Sequence, residues 1–192
     1  MFNKDKGEYG YLKSYKKMRL FFSCLFGVVI LGIIILLLVL FKTTKTVYVV
    51  VPILLALPFS KNFIGYILCV KFKPLNEEKY NTINNSIKED TKRDLLFDVV
   101  ISQYEGMLFY QSICIRNGKV YALIQEKPDK TTEKKYEKWI YESIYDGKHD
   151  IIIKIFSDID DYIKKTNQIS EPNHNTMLVD AYMRETLLTY CV

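Results

Sequence analysis

The sequence predicts a two-helix transmembrane hairpin followed by a small α/β (α+β) cytoplasmic domain of order α-β-β-β-α-β-α-α. Two uncharged stretches carry the first half of that statement. Residues 20–41 are 22 positions without a charge, and residues 47–70 are 24 positions with Lys61 as the one charge. A bilayer core of about 30 Å takes roughly 20 apolar residues of helix. The second half rests on residues 76–192, where short β-rich runs alternate with amphipathic ones, as in one mixed sheet covered by helices.

At 192 residues and 22.6 kDa the chain has room for one ordinary domain and something smaller. With 49% hydrophobic and 26% charged residues it falls outside the disordered and collagen-like classes. The four cysteines show no paired spacing, which points to reduced thiols rather than a disulfide scaffold or a structural metal. The net charge of +5 is unevenly distributed: residues 1–19 carry +4, Lys42, Lys45 and Lys61 add +3, and residues 71–192 carry −2. A slightly acidic domain lacks the basic face that phosphate backbones require, so nucleic acid is not expected as a partner.

The elements follow in order: a basic cytoplasmic arm (1–19), a first transmembrane helix (20–41), an external loop (42–46), a second transmembrane helix (47–70), a helical linker (71–94) and the cytoplasmic α/β domain (95–192). Tyr9, Tyr11 and Tyr15 among the arm's lysines suit a segment lying on an anionic inner leaflet. The first apolar run is longer than a signal-peptide core and no cleavage site follows it, so it reads as an uncleaved anchor. Ser23 and Gly27 form a small-xxx-small pair that favours helix contact. In the second span Pro52 and Pro58 remove backbone donors, and Ser60-Lys61-Asn62 interrupts the apolar run. Lys61 either snorkels to the headgroups or marks a helix–helix or partner site. Six Lys and Arg precede the first span and Lys71 and Lys73 follow the second. The positive-inside rule therefore places both termini in the cytoplasm, in a multi-pass protein of the cell membrane.

In the domain, Tyr80, Ile83 and Ile87 share a helical face. Residues 95–102 form a strand with Asp98 as a polar residue in its middle. Residues 107–115 and 119–126 flank Arg116-Asn117-Gly118, a hairpin signal, because a type I′ turn needs two residues at positive φ. Thr132 caps a helix bearing Tyr136, Trp139, Ile140 and Ile144, which ends near Gly147. Residues 151–156 (IIIKIF) read as a strand covered on both faces. Ser157 and Asp160 form a capping-box-like start for a helix bearing Ile159, Tyr162, Ile163 and Ile169. The aspartates 158, 160 and 161 suit its positive end better than a metal. Residues 176–190 form a final helix.

Phosphate-loop, dinucleotide, serine-hydrolase, zinc-protease and EF-hand motifs are missing from the sequence, and His149 and His174 stand alone. The α-β-β-β-α-β order resembles the restriction-endonuclease-like core. That resemblance implies a divalent metal held by Asp98 and Gln125, with Lys127 near the attacking water. The sequence departs from the family in having no acid between residues 107 and 116, where the strand preceding Gln125 should supply one. A second resemblance rests on KGEYGYLKSYKK (6–17), LLALPFSK (54–61) and DVVIS (98–102). On these the whole chain resembles a group of small uncharacterised two-span membrane proteins of Gram-positive anaerobic bacteria. This implies the architecture and a bacterial membrane location, and no catalytic residues.

The expected function is a membrane-anchored interaction module without a cofactor. It binds the bilayer and another membrane protein or itself, with Lys61 as the candidate intramembrane contact. A divergent metal-dependent enzyme using Asp98, Gln125 and Lys127 is one alternative, and an accessory subunit of a membrane transport complex is another.

Overall fold

Gly10, with φ +82°, breaks the chain, and Tyr11 opens the first helix in the computed structural model, which describes residues 4–41, 47–103, 106–125, 128–145 and 151–191. Helix α1 runs Tyr11–Phe41, nine residues longer at its start than the apolar run. The extension follows from residues 11–19, rich in Leu, Lys, Met and Arg, which have high helix propensity. A 3-10 turn, Val47–Val49, leads into α2, Val50–Val70. Pro52 is the third residue of α2, where an amide has no intrahelical acceptor to lose. Pro58 lies inside the helix and deprives the carbonyl four residues earlier of its donor.

Both helices are long and apolar enough to cross a membrane. They belong to one compact unit, residues 13–73; residues 4–12 with 74–192 form the other. Within the first unit the Arg19 guanidinium donates to Asn62 Oδ1 at 3.0 Å and stacks on the Tyr15 ring. Ser23 is buried, and a Cβ on Gly27 would stand 3.5 Å from the Phe59 ring, so the small-residue face of α1 is turned toward α2.

The second unit is a four-stranded sheet with helices on both faces. Its helices and strands are α3 (Glu77–Ser86), α4 (Glu89–Lys92), β1 (Leu95–Gln103), β2 (Gly106–Arg116), β3 (Lys119–Leu123), α5 (Lys130–Ile144), β4 (Ile152–Phe156), α6 (Ile159–Asn167) and α7 (His174–Thr189). This is the expected order with the short α4 added. Strand order is β1-β2-β3-β4, antiparallel except for the parallel pair β3–β4. One core, containing Trp139, Ile140, Ile144, Met183 and Leu187, lies under α5 and α7. The other, containing Ile83, Ile87, Tyr162 and Ile163, lies under α3 and α6.

Several expectations are corrected. Residues 71–94 are not a bare linker, since Leu75, Ile83 and Ile87 are buried in the second core. Residues 4–12 are not an arm apart from the domain: Phe97 N donates to Gly7 O at 2.7 Å, and the Tyr9 ring stacks on Tyr80 at 3.9 Å. Asp129, not Thr132, is the N-cap residue of α5, and Asp158, not Ser157, caps α6 by accepting from Asp160 N at 2.7 Å. Strand β4 is not covered on both sides. It lies at the edge of the sheet, with Ile152 49% exposed and Lys154 exposed. The position expected to end α5, Gly147, lies outside the described residues. The Asn117-Gly118 turn has both residues at positive φ (53° and 69°), as a type I′ hairpin requires.

Candidate functional site

Asp98 occupies the middle of β1 at φ 52°, a conformation that aspartate tolerates better than most residues. Ladder pairs run from Leu95↔Cys114 to Phe97↔Ser112, skip Asp98, and resume at Val99↔Tyr110 without a change of register. The alternation of side chains inverts there. Leu96 shares one core with Val99 and Ile101, while Leu95 and Phe97 enter the other. Strand β2 inverts at the facing position, because Tyr110 shares a core with Ile113 and Ile115. Inversion of both strands at one rung preserves the register.

The Asp98 carboxylate, 1% exposed, is directed at backbone amides. Gly10 N donates to Oδ2 at 2.8 Å and Leu75 N to Oδ1 at 3.4 Å, and the Leu12 amide lies close enough to favour the charged form. Burial pushes its pKa above the ordinary aspartate value, and the three amides act in the opposite direction. One buried side chain thus fastens two chain segments that are distant in sequence to the sheet.

This geometry does not assemble the metal constellation. Asp98 is on β1, Gln125 is exposed just beyond the end of β3, and β2 runs between those strands. Lys127 lies outside the described residues, as does His149. His174 is exposed at the start of α7. Among the described residues no three His, Cys, Asp or Glu side chains gather as a metal site. Lys61 is exposed on α2, whereas its neighbour Asn62 makes the bond to Arg19. Asn62 stands in the sequence only as part of the polar break at residues 60–62, and nothing there marks Arg19 as its partner.

A pocket of about 440 Å³ lies among α4, β2 and α7, lined by Arg93, Arg116, Arg184, Asp90, Asp94 and Asp180 among others. Three of the chain's four arginines line it, and among the described residues Arg116 alone uses the guanidinium fork to engage two carboxylates. Arg116, 3% exposed, donates to Asp94 Oδ2 at 2.9 Å and to Asp90 Oδ2 at 2.7 Å. That pairing holds Asp90 below the usual carboxylate range, while burial raises Asp94. Asp180 accepts from both amides of the hairpin turn, Asn117 N at 2.6 Å and Gly118 N at 2.9 Å. Arg184 donates to Arg93 O. Arg116, Asp90, Asp94, Asp180 and Arg184 bond to one another or to the backbone and fix α4, α7 and the β2–β3 turn as one corner, while the buried Arg116 Nε is left without a partner among the described residues.

The remaining distinctive surface is β4. The opposite edge, along β1, is covered by the chain itself: Gly7 O accepts from Phe97 N, Ser102 N donates to Tyr190 O at 3.1 Å, and Cys191 bridges to Ile101. Lys6 Nζ ties the two covering segments together through Cys191 O at 2.6 Å. Among the described residues, β4 pairs with β3 alone. A groove of about 410 Å³ beside it is lined by Lys134, Glu137, Lys138 and Tyr141 of α5 with Ile151 and Ile153.

No protein-family model matches the chain, and neither curated proteins nor solved structures give a match to it.

Proposed function

We propose that the chain is a two-span membrane protein of the cell membrane whose α/β domain, on the cytoplasmic side with both termini, binds another protein. One observation carries the reading: the apolar side chains of α1 and α2 find little cover within the chain. Val28, Leu31, Val39 and Leu57 are 69%, 61%, 71% and 69% exposed. Burying a side chain of this kind is worth roughly 1.5–3 kcal/mol, which a helix in the core of a soluble protein would collect from its neighbours. A bilayer supplies the same transfer, and the 21 residues of α2 span about 31 Å. The basic residues before α1 and after α2 support the orientation. Lys61, exposed on an apolar helix, supports a contact with headgroups or with a helix of the partner.

The binding role is supported by a sheet edge, β4, that among the described residues has no neighbour on its outer side. Membrane-impermeant maleimide labelling of single-cysteine variants in intact cells tests the topology. Thr44→Cys should label from outside, and His174→Cys only after permeabilisation. Release of the chain into the soluble fraction by alkaline carbonate, or outside labelling at 174, would overturn it. In-cell cross-linking of the tagged full chain, with mass spectrometry, should recover a stoichiometric partner; recovery of the chain alone would replace the partner with self-association.

A further inference from the structure

We propose that the free edge of β4 is the partner surface, and that the partner docks there as an extended, carboxylate-bearing segment added to the sheet as a fifth strand. The inference rests on the binding role proposed above and names its surface. The hydrogen-bonding direction of β4 follows from two bonds: Ile152 N donates to Gly118 O at 3.1 Å, and Phe156 O accepts from Ile124 N at 2.9 Å. In a parallel ladder the residues whose backbone groups face one neighbour alternate with those facing away. Ile152, Lys154 and Phe156 therefore face β3, and Ile153 and Ile155 turn their N–H and C=O groups outward. Among the described residues those groups meet no partner. Such a row is a template for strand addition, in which main-chain bonds give affinity and side-chain pockets give selectivity.

The side chains beside that row select the occupant. On the α5 face, Ile151, Ile153 and Tyr141 form an apolar floor flanked by Lys134, Glu137 and Lys138; Lys138 is already paired with Glu142 at 3.5 Å, a half-exposed pair that an incoming carboxylate would have to share. On the other face, Ile152 and Lys154 are exposed. An added strand would set one side chain against Ile153 and others within reach of Lys154, which is exposed and has no acid partner among the described residues, so a carboxylate on the incoming segment is complementary there. A second copy of this chain is disfavoured by the same residue. Antiparallel pairing of two β4 strands about their centre sets Lys154 against Lys154, and like charges directly opposite destabilise a ladder. The chain's use of Gly7 and Cys191 to close the β1 edge leaves β4, among the described residues, as the open one.

The test incorporates a photoreactive phenylalanine analogue at Ile152 in the full-length, membrane-embedded protein, with a second site at Met177 on α7 as the reference. The expected result is a heteromeric adduct from Ile152 whose cross-linked peptide carries Asp or Glu. Its yield should fall about tenfold with Lys154→Glu, which reverses the charge without touching the ladder. Ile153→Pro, which removes an outward donor and no bond to β3, should act likewise. Hydrogen exchange of the β2 and β3 amides checks that each variant folds; Lys154→Glu decides the matter if Ile153→Pro does not. An adduct that persists undiminished with Lys154→Glu, or one formed with a second copy, overturns the proposal. Capture from Met177 with none from Ile152 also overturns it while leaving the binding role intact. Capture from neither overturns both.

Discussion

A strand residue that leaves the β region turns the side chains after it to the opposite face, and Asp98 couples that turn to a buried carboxylate holding the amides of Gly10 and Leu75. The two roles can be separated. Asp98→Gly keeps the positive φ and loses the acceptor, so hydrogen exchange at Gly10 and Leu75 should accelerate. The destabilisation should be about 1–3 kcal/mol, followed through the single tryptophan, Trp139. Asp98 and Asp94 have folded pKa values above the ordinary carboxylate value because burial penalises their charge. The folded chain therefore holds their protons longer than the unfolded one, and their contribution is lost as pH rises from about 4 through the folded values. Asp90, lowered by Arg116, has the opposite sign: its contribution is present above about pH 4 and lost as pH falls through its folded value. Asp98→Asn, uncharged throughout, should flatten the decline of stability above about pH 4 in urea unfolding read by Trp139; an unchanged slope would show that Asp98 does not supply it. At the turn, Asp180→Ala leaves two amides unanswered and should cost about 1–3 kcal/mol in the same assay.

Elements in this protein are defined as much by what lies beside them as by their own residues. The segment 4–12 has no strand pattern, yet its Gly7 carbonyl closes part of the β1 edge. Gly7 has φ +87°, and a Cβ there would stand 2.6 Å from Leu96 Cδ2. Gly7→Ala combines a left-handed backbone, about 1–2 kcal/mol for a residue with a side chain, with displacement of a fully buried leucine. The expected outcome is rapid exchange at the Phe97 amide with protection retained at Ile113; equal loss at both would mean that the segment is integral to the whole sheet. The β2–β3 hairpin needed no such context, because Asn-Gly specifies its own geometry. Strand β4 needed all of it. The run 151–156 has the composition of a fully covered strand, and only the order β1-β2-β3-β4 makes it an edge.

For the whole molecule, the proposed membrane location turns exposed apolar surface into a requirement. Leu31→Lys, at a position 61% exposed on α1, should lower membrane insertion by about 2.5–3.5 kcal/mol in an insertion assay. Leu178→Lys, at a 63% exposed position on the domain, should leave insertion unchanged. Equal effects would remove the bilayer as the reason for the apolar helices.

The sequence alone determined the features that depend on local period and length. These are the two apolar helices, the hairpin at Asn117-Gly118, and the amphipathic faces around Trp139 and Tyr162. Each is specified within a window of some twenty residues or fewer, where propensity and hydrophobic periodicity act without reference to the rest of the chain. The tertiary structure decided where the described candidate residues stand. It set β2 between Asp98 and the end of β3, turned Asp98 onto amides from residues 10 and 75, gave Asn62 the bond to Arg19, and paired β4 with β3 alone among the described residues. Those outcomes depend on pairings between residues tens of positions apart. The free energy of such a pairing lies in the burial and hydrogen bonding that two segments acquire together, which neither segment carries in its own sequence.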